Sequence, residues 1–259
     1  MDLSNSSLFW LCLSALAAGA VNSLAGGGTL LTFPALTAAL AAHGPNEAKV
    51  WANATSTVAL VPGALAGAWG YRREIAPVRR WLAILAVPSL IGGVIGSLLL
   101  TRLDPRYFAV LVPWLLLAAA VVFLLDTLLG RYRTTRPESR SLATISGLVV
   151  FQFAVGVYGG YFGAGIGIMM LSALALMGVG DIHRMNSLKT LLNACINGVS
   201  VAIFVHDGKV EWKYAAPMAL ASIVGGYLGA RLALRVKPRV VRWMVISIGF
   251  GLAMYYFQR

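Results

Sequence analysis

The chain has 259 residues, of which 59% are hydrophobic and only 12% charged, with a mean hydropathy of +0.78 and a formal net charge of +12. Soluble domains carry about 25% charged residues, so an ordinary water-soluble enzyme or binding module is excluded. At about 20 residues per crossing, the chain has room for about eight to ten membrane passages and little else. The basic excess does not read as nucleic-acid binding. Lys and Arg gather in short runs between apolar segments, which is the pattern of membrane topology.

In chain order, MDLSNSS has no basic residue ahead of the first apolar run, so it is expected to be retained rather than cleaved as a signal peptide. Apolar runs follow at about 8–24, 28–42, 50–70, 81–100, 107–129, 141–160, 162–178, 186–205, 213–234 and 240–257. All are read as helices, because an open strand edge leaves backbone groups unsatisfied in lipid. The second and seventh runs are short. Each meets its predecessor at a glycine cluster instead of a charged loop, and both are predicted to be broken or re-entrant helices. The expected fold class is therefore all-α, a polytopic membrane bundle of about eight to ten segments forming one domain over 1–259.

Cys12 and Cys195 lie inside apolar stretches and are expected to be buried free thiols, with no disulfide, no metal site and no cofactor called for. Trp51, Trp81, Trp212, Tyr255 and Tyr256 are expected in interfacial belts. His43, His183 and His206 fall at helix ends, where a solvated imidazole is expected.

Connecting loops alternate between two sides. One side holds Arg72, Arg73, Arg79, Arg80, Arg131, Arg133, Arg136, Arg140, Arg184, Arg231, Arg235, Lys237, Arg239 and Arg242, against Lys49, Arg102, Arg106, Lys209, Lys213 and Arg259 on the other. The richer side is expected to be cytoplasmic. In that orientation the chain is expected to be multi-pass, with both termini pointing away from the cytoplasm. GRYRTTRPESR (130–140) is the expected cytoplasmic linker between the halves.

Those halves repeat. SLIGGVIGSLLLTRLDPR (89–106) aligns without a gap on SIVGGYLGARLALRVKPR (222–239), and at the same offset Asn53 meets Asn186 and Thr57 meets Thr190. AGAVNSLAGGG (18–28) matches VGVYGGYFGAG (155–165) once a four-residue loop difference is allowed. With five runs in each half, the second copy (141–257) enters from the face opposite to the first (8–129), and inverted repeats of this kind are a transporter signature.

The stretch AGAVNSLAGGGTLLTFPAL, the NATS at Asn53, the second copy GVYGGYFGAGIGIMM and the paired GGxxG elements together resemble the sulfite exporter TauE/SafE family. The likeness runs from about Ala17 to Phe257, and in the second half the NATS position reads NSLK. It implies a bacterial permease for sulfite, sulfonates or related sulfur anions.

A midplane anion site needs free backbone donors, and glycine-interrupted helices supply them where they line a cavity. Gly26, Gly27 and Gly28, and in the other half Gly163, Gly165 and Gly167, are the backbone candidates; close helix packing is the alternative for the same glycines. Asn186, Lys189, Asn193 and Asn197 share one helix face and offer an ammonium and carboxamides to an oxyanion, or else helix-to-helix bonds and a snorkelling lysine. Asn53, Ser56 and Thr57 are their counterparts in the first half. Asn22 and Gln152 are expected to face a cavity or to join helices.

The expected function is secondary transport of a small anion by alternating access, resembling export of sulfite or of organosulfonates such as sulfoacetate. An anion channel and an importer of a sulfur anion are the rival readings. A membrane-embedded enzyme is opposed by the lack of HExxH and of clustered His, Asp or Glu within the runs. Expected partners are the small anion and the lipid bilayer, with a homodimer as an open possibility and no nucleic acid.

Overall fold

Long apolar runs interrupted by glycine and proline fold here as helices that stop where the backbone can no longer continue. The computed structural model describes residues 5–24, 27–69, 75–129, 142–176, 182–232 and 238–258. Within these, the helices are α1 Asn5–Leu24, α2 Thr29–Ala39, α3 Glu47–Trp69, α4 Ile75–Arg102 and α5 Pro105–Leu129, then α6 Leu142–Tyr161, α7 Ile166–Leu176, α8 Ile182–His206, α9 Trp212–Leu232 and α10 Pro238–Phe257. A 3-10 turn at Ala41–His43 joins α2 to α3, and no strand occurs among the described residues. Pro105 and Pro238 each open a helix, the position where a missing N–H costs nothing.

The molecule is apolar outside and carries polar side chains inside. Val110, Val150 and Leu220 are exposed, whereas Asn53, Ser56, Ser89, Ser97, Gln152 and Lys189 are buried. Among the described residues, segments of α4, α5 and α8 are long and apolar enough to cross a membrane, and α1, α2, α6 and α10 contain shorter apolar helices. The fold is an all-α polytopic membrane bundle. α2 and α7 have 11 residues each, about 16 Å at 1.5 Å per residue, which is half of a hydrocarbon core about 30 Å thick.

The glycine elements explain the packing. α4 lies against α6 and α8, and α9 lies against α1 and α3. A side chain at Gly92 would strike the carbonyl of Phe153, and one at Gly96 the carbonyl of Val157, both on α6. Gly225 and Gly229 stand in the same way against Leu16 and Ala20 of α1. The middle glycine turns to the other neighbour, Gly93 to Ile196 of α8 and Gly226 to Gly63 of α3. Each GGxxG is thus a two-sided small surface that lets three helix backbones approach closely. Polar side chains tie the same seams: Gln152 donates to Ser89 at 2.8 Å, Ser97 to Ser200 at 2.8 Å, and Ser222 to the Ala59 carbonyl at 2.6 Å.

Some local expectations are corrected. Trp81 and Tyr256 are buried in the hydrophobic clusters, while Trp212 and Tyr255 are exposed. Tyr256 packs against Phe33, at 5.9 Å between ring centroids. Cys12 and Cys195 are free but only half-buried. The linker 130–140, Gly26 and most of the basic residues behind the orientation lie outside the residues or side chains described.

Candidate functional site

Two contiguous hollows sit where the interrupted helices meet. The first is lined by Asn22, Ser23, Ala64, Gly67, Gly167, Lys189, Thr190 and Asn193. The second is lined by Asn22, Gly27, Thr29, Thr57, Leu60, Gly163, Ile166, Gly167, Asn193 and Asn197. Advancing along α3 from Thr57 to Gly67 accompanies retreat along α8 from Asn197 to Lys189, so the two helices run antiparallel past the site.

The first turns of both half-helices face this space, through Gly27 and Thr29 for α2 and through Ile166 and Gly167 for α7. A first helical turn leaves N–H groups without intrahelical partners and carries the positive end of the helix dipole. Glycine makes the interruptions possible. Gly27 has φ +147° and Gly165 φ +80°, conformations that side-chain-bearing residues rarely adopt. Any side chain added at either glycine would also meet the ring of Phe123, fully buried on α5. Phe123 therefore wedges between the two breaks. No polar or periodic signal in the sequence pointed to it.

Polar side chains complete the lining. Lys189 is 4% exposed and Asn193 9% exposed. Asn197 donates to the Asn193 Oδ1 at 3.0 Å, and Asn22 Oδ1 accepts from the Gly27 N–H at 3.4 Å. Among the described residues, no acidic side chain lines either hollow. Thr57 and Thr190 each turn their hydroxyl back to the carbonyl four residues earlier, at 2.9 and 2.7 Å, the same bond in both halves. Each hollow offers about 20 Å³ to the centre of a water-sized sphere. One water needs about 10–15 Å³ by that measure, so each space holds little more than a single water in this conformation.

Of the sequence candidates, Asn22, Gly27, Thr57, Gly163, Gly167, Lys189, Asn193 and Asn197 line the hollows. Six others do not, among them Gln152, which bonds Ser89. Asn53 is buried and donates to the Tyr161 carbonyl at the end of α6, at 3.1 Å. Ser56 shares a hydrogen bond with Thr32 at 2.6 Å. Gly28 packs against Ala18 and Gly165 against Ala119 and Phe123. Asn186 keeps a buried Oδ1 without a hydrogen-bond partner, away from the lining. Ser23, Thr29 and Thr190 line the space although the sequence reading passed over them; their closeness to the glycine breaks and to Lys189 was the available signal.

Ion pairs and a hydrogen bond join helices at the end of the bundle where α3 begins and α8 ends. Lys209 pairs with Glu47 at 3.2 Å, with its ammonium 5.9 Å from the Trp51 ring centroid. The Glu211 N–H donates to Thr55 Oγ1 at 3.0 Å. Arg102 pairs with Asp207 at 3.1 Å. The polar neighbours Thr101 and His206, with Arg102 opposite, hold the Asp207 carboxyl below the usual carboxylate range.

An all-helical membrane bundle with a small polar hollow between interrupted helices defines a membrane transporter, and the comparisons with known proteins agree. The family model described as Sulfite exporter TauE/SafE matches residues 11–256, and the chain belongs to that family. It is 30% identical over 251 residues to a "Probable membrane transporter protein" of Haemophilus influenzae, covering 96% of this chain and 94% of the relative. It is 28% identical over 236 residues to "Probable membrane transporter protein YfcA" of Escherichia coli K12, covering 90% and 83%. No solved structure matches the chain.

Proposed function

We propose that the protein is a secondary transporter that exports a small sulfur oxyanion, such as sulfite or a short organosulfonate, across the inner membrane, with both termini periplasmic. One observation carries the reading. Two half-helix N-termini and the Lys189 side chain line two contiguous polar hollows whose described lining includes no acidic side chain. Positive dipole ends, a compact cation and carboxamide donors complement an oxyanion. The excess of Lys and Arg on one set of loops supports the orientation. An anion leaving a negative interior gains about 2.3 kcal/mol per charge per 100 mV, so export needs no coupling ion.

The small hollow favours a carrier over an open pore, because an anion of one sulfur and three oxygens exceeds one water's share of about 30 Å³. Alternating access would work between the halves α1–α5 and α6–α10. The pairs Glu47–Lys209 and Arg102–Asp207 close the end away from Lys189. Partly exposed ion pairs are worth about 0–1 kcal/mol each, enough to bias a gate without locking it. Glu47→Lys should therefore shift the open–closed balance by up to about fivefold and change the flux, and adding Lys209→Glu should restore it. A double variant no closer to native than the single one would remove the pair from the gate.

The decisive test is flux in proteoliposomes with sulfite, sulfate, sulfoacetate and taurine at controlled voltage and pH. Saturable export of sulfite or sulfoacetate that quickens with membrane potential is expected. Equal rates for all four solutes, or no flux of any, would overturn the proposal.

A further inference from the structure

Elsewhere in the same bundle lies a larger cleft, whose lining shares no residue with the central hollows. It measures about 630 Å³ and lies between α2, the 3-10 turn, the start of α3 and the end of α10. Its walls include Pro34, Ala38, Ala48, Leu252 and Tyr255, and among the described residues its one charged lining residue is Lys49. We infer that this cleft binds one anionic phospholipid, with an acyl chain against the apolar wall and the phosphate at Lys49.

Three observations carry the assignment. The described lining of the cleft has net positive charge: Lys49 makes no ion pair among the described residues, its ammonium lies 5.5 Å from the Tyr256 ring centroid, and Glu47, two residues before it, is engaged by Lys209. Polarity is ordered along the cleft as in a lipid. Lys49 and Pro45 stand at the end of the bundle where α3 begins, while Pro34, midway along α2, and Leu252, a turn before Tyr256 on α10, stand deeper. The cleft also runs out onto an apolar surface. Tyr255 is a lining residue yet remains exposed, beside exposed Met254 and Phe257, and Phe257 packs on exposed Trp114 at 5.0 Å between centroids. Exposed rings near a helix end in a membrane-spanning chain mark the headgroup level. Small side chains at Ala38 and Ala48 leave the space, and a lysine there attracts anionic headgroups.

Native mass spectrometry of the full chain, loaded with phosphatidylglycerol or phosphatidylcholine of matched chains, tests this. Retention of one phosphatidylglycerol with about fivefold preference over phosphatidylcholine is expected. Lys49→Gln should abolish the preference while leaving some binding of both lipids. Ala38→Phe, filling the cleft, should lose both, with the melting temperature in detergent confirming that each variant is folded. Equal retention of the two lipids by the native chain, or unchanged retention in folded Ala38→Phe, would overturn the assignment. So would displacement of the lipid by millimolar sulfite, which would instead give the cleft to the transported anion. Because the readout is lipid retention, it stands or falls independently of anion flux.

Discussion

Replacing Lys189 by Met is expected to lower anion flux in proteoliposomes by at least about thirtyfold, with the protein still eluting as a single species. The size follows from the burial of the ammonium, 4% exposed and lining the hollow. Losing one partner of a buried charge-assisted contact costs about 2–5 kcal/mol, and 2 kcal/mol corresponds to about thirtyfold in affinity. Lys189→Gln, which keeps a donor but no charge, should recover only part of the loss. Lys189→Arg should recover little, because a planar guanidinium needs more room than about 20 Å³ of free space provides. Flux at the native rate and affinity in Lys189→Met would show that the lysine only supports the helices around it, and the anion site would have to be sought elsewhere.

The second large effect is on folding. Gly96→Leu and Gly225→Leu are each expected to destabilise the protein by about 3 kcal/mol or more, seen as loss of a monodisperse peak and of the melting transition in detergent. In both cases the first added carbon strikes a backbone carbonyl, Val157 on α6 or Leu16 on α1. Overpacking typically costs about 1–3 kcal/mol when side chains can move aside, and a helix backbone yields less than a side chain does. Gly251→Leu provides the contrast, since nothing lies within 4 Å of a side chain started there. A native melting temperature for Gly96→Leu would mean that α4 and α6 do not meet through the glycine seam.

The two seams also show why the duplicated element was readable before its purpose was. Gly92, Gly93 and Gly96 recur as Gly225, Gly226 and Gly229 because the same close approach is needed twice, by α4 on α6 and α8 and by α9 on α1 and α3. The match of Asn53 with Asn186 and of Thr57 with Thr190 has a different outcome at each pair. Both threonines line the hollows and both bond their own helix. The asparagines stand off the lining, and Asn53 instead satisfies a carbonyl that the end of α6 leaves open. A helix terminus inside a membrane protein must find such a partner, and position in sequence does not say which side chain will provide it.

Membrane residence, about eight to ten helical segments, two of them short and glycine-bounded, and the repeated small-residue element were all determined by the sequence alone, because hydropathy, segment length and glycine's backbone freedom act over one or two turns. Only the tertiary structure decided that Asn22, Thr57, Lys189, Asn193 and Asn197 line two contiguous hollows, that Ser56 turns to Thr32, and that Phe123 fills the gap between the breaks. Which face of a helix meets which neighbour depends on crossing geometry and on contacts across more than a hundred residues of chain, and no local pattern encodes those.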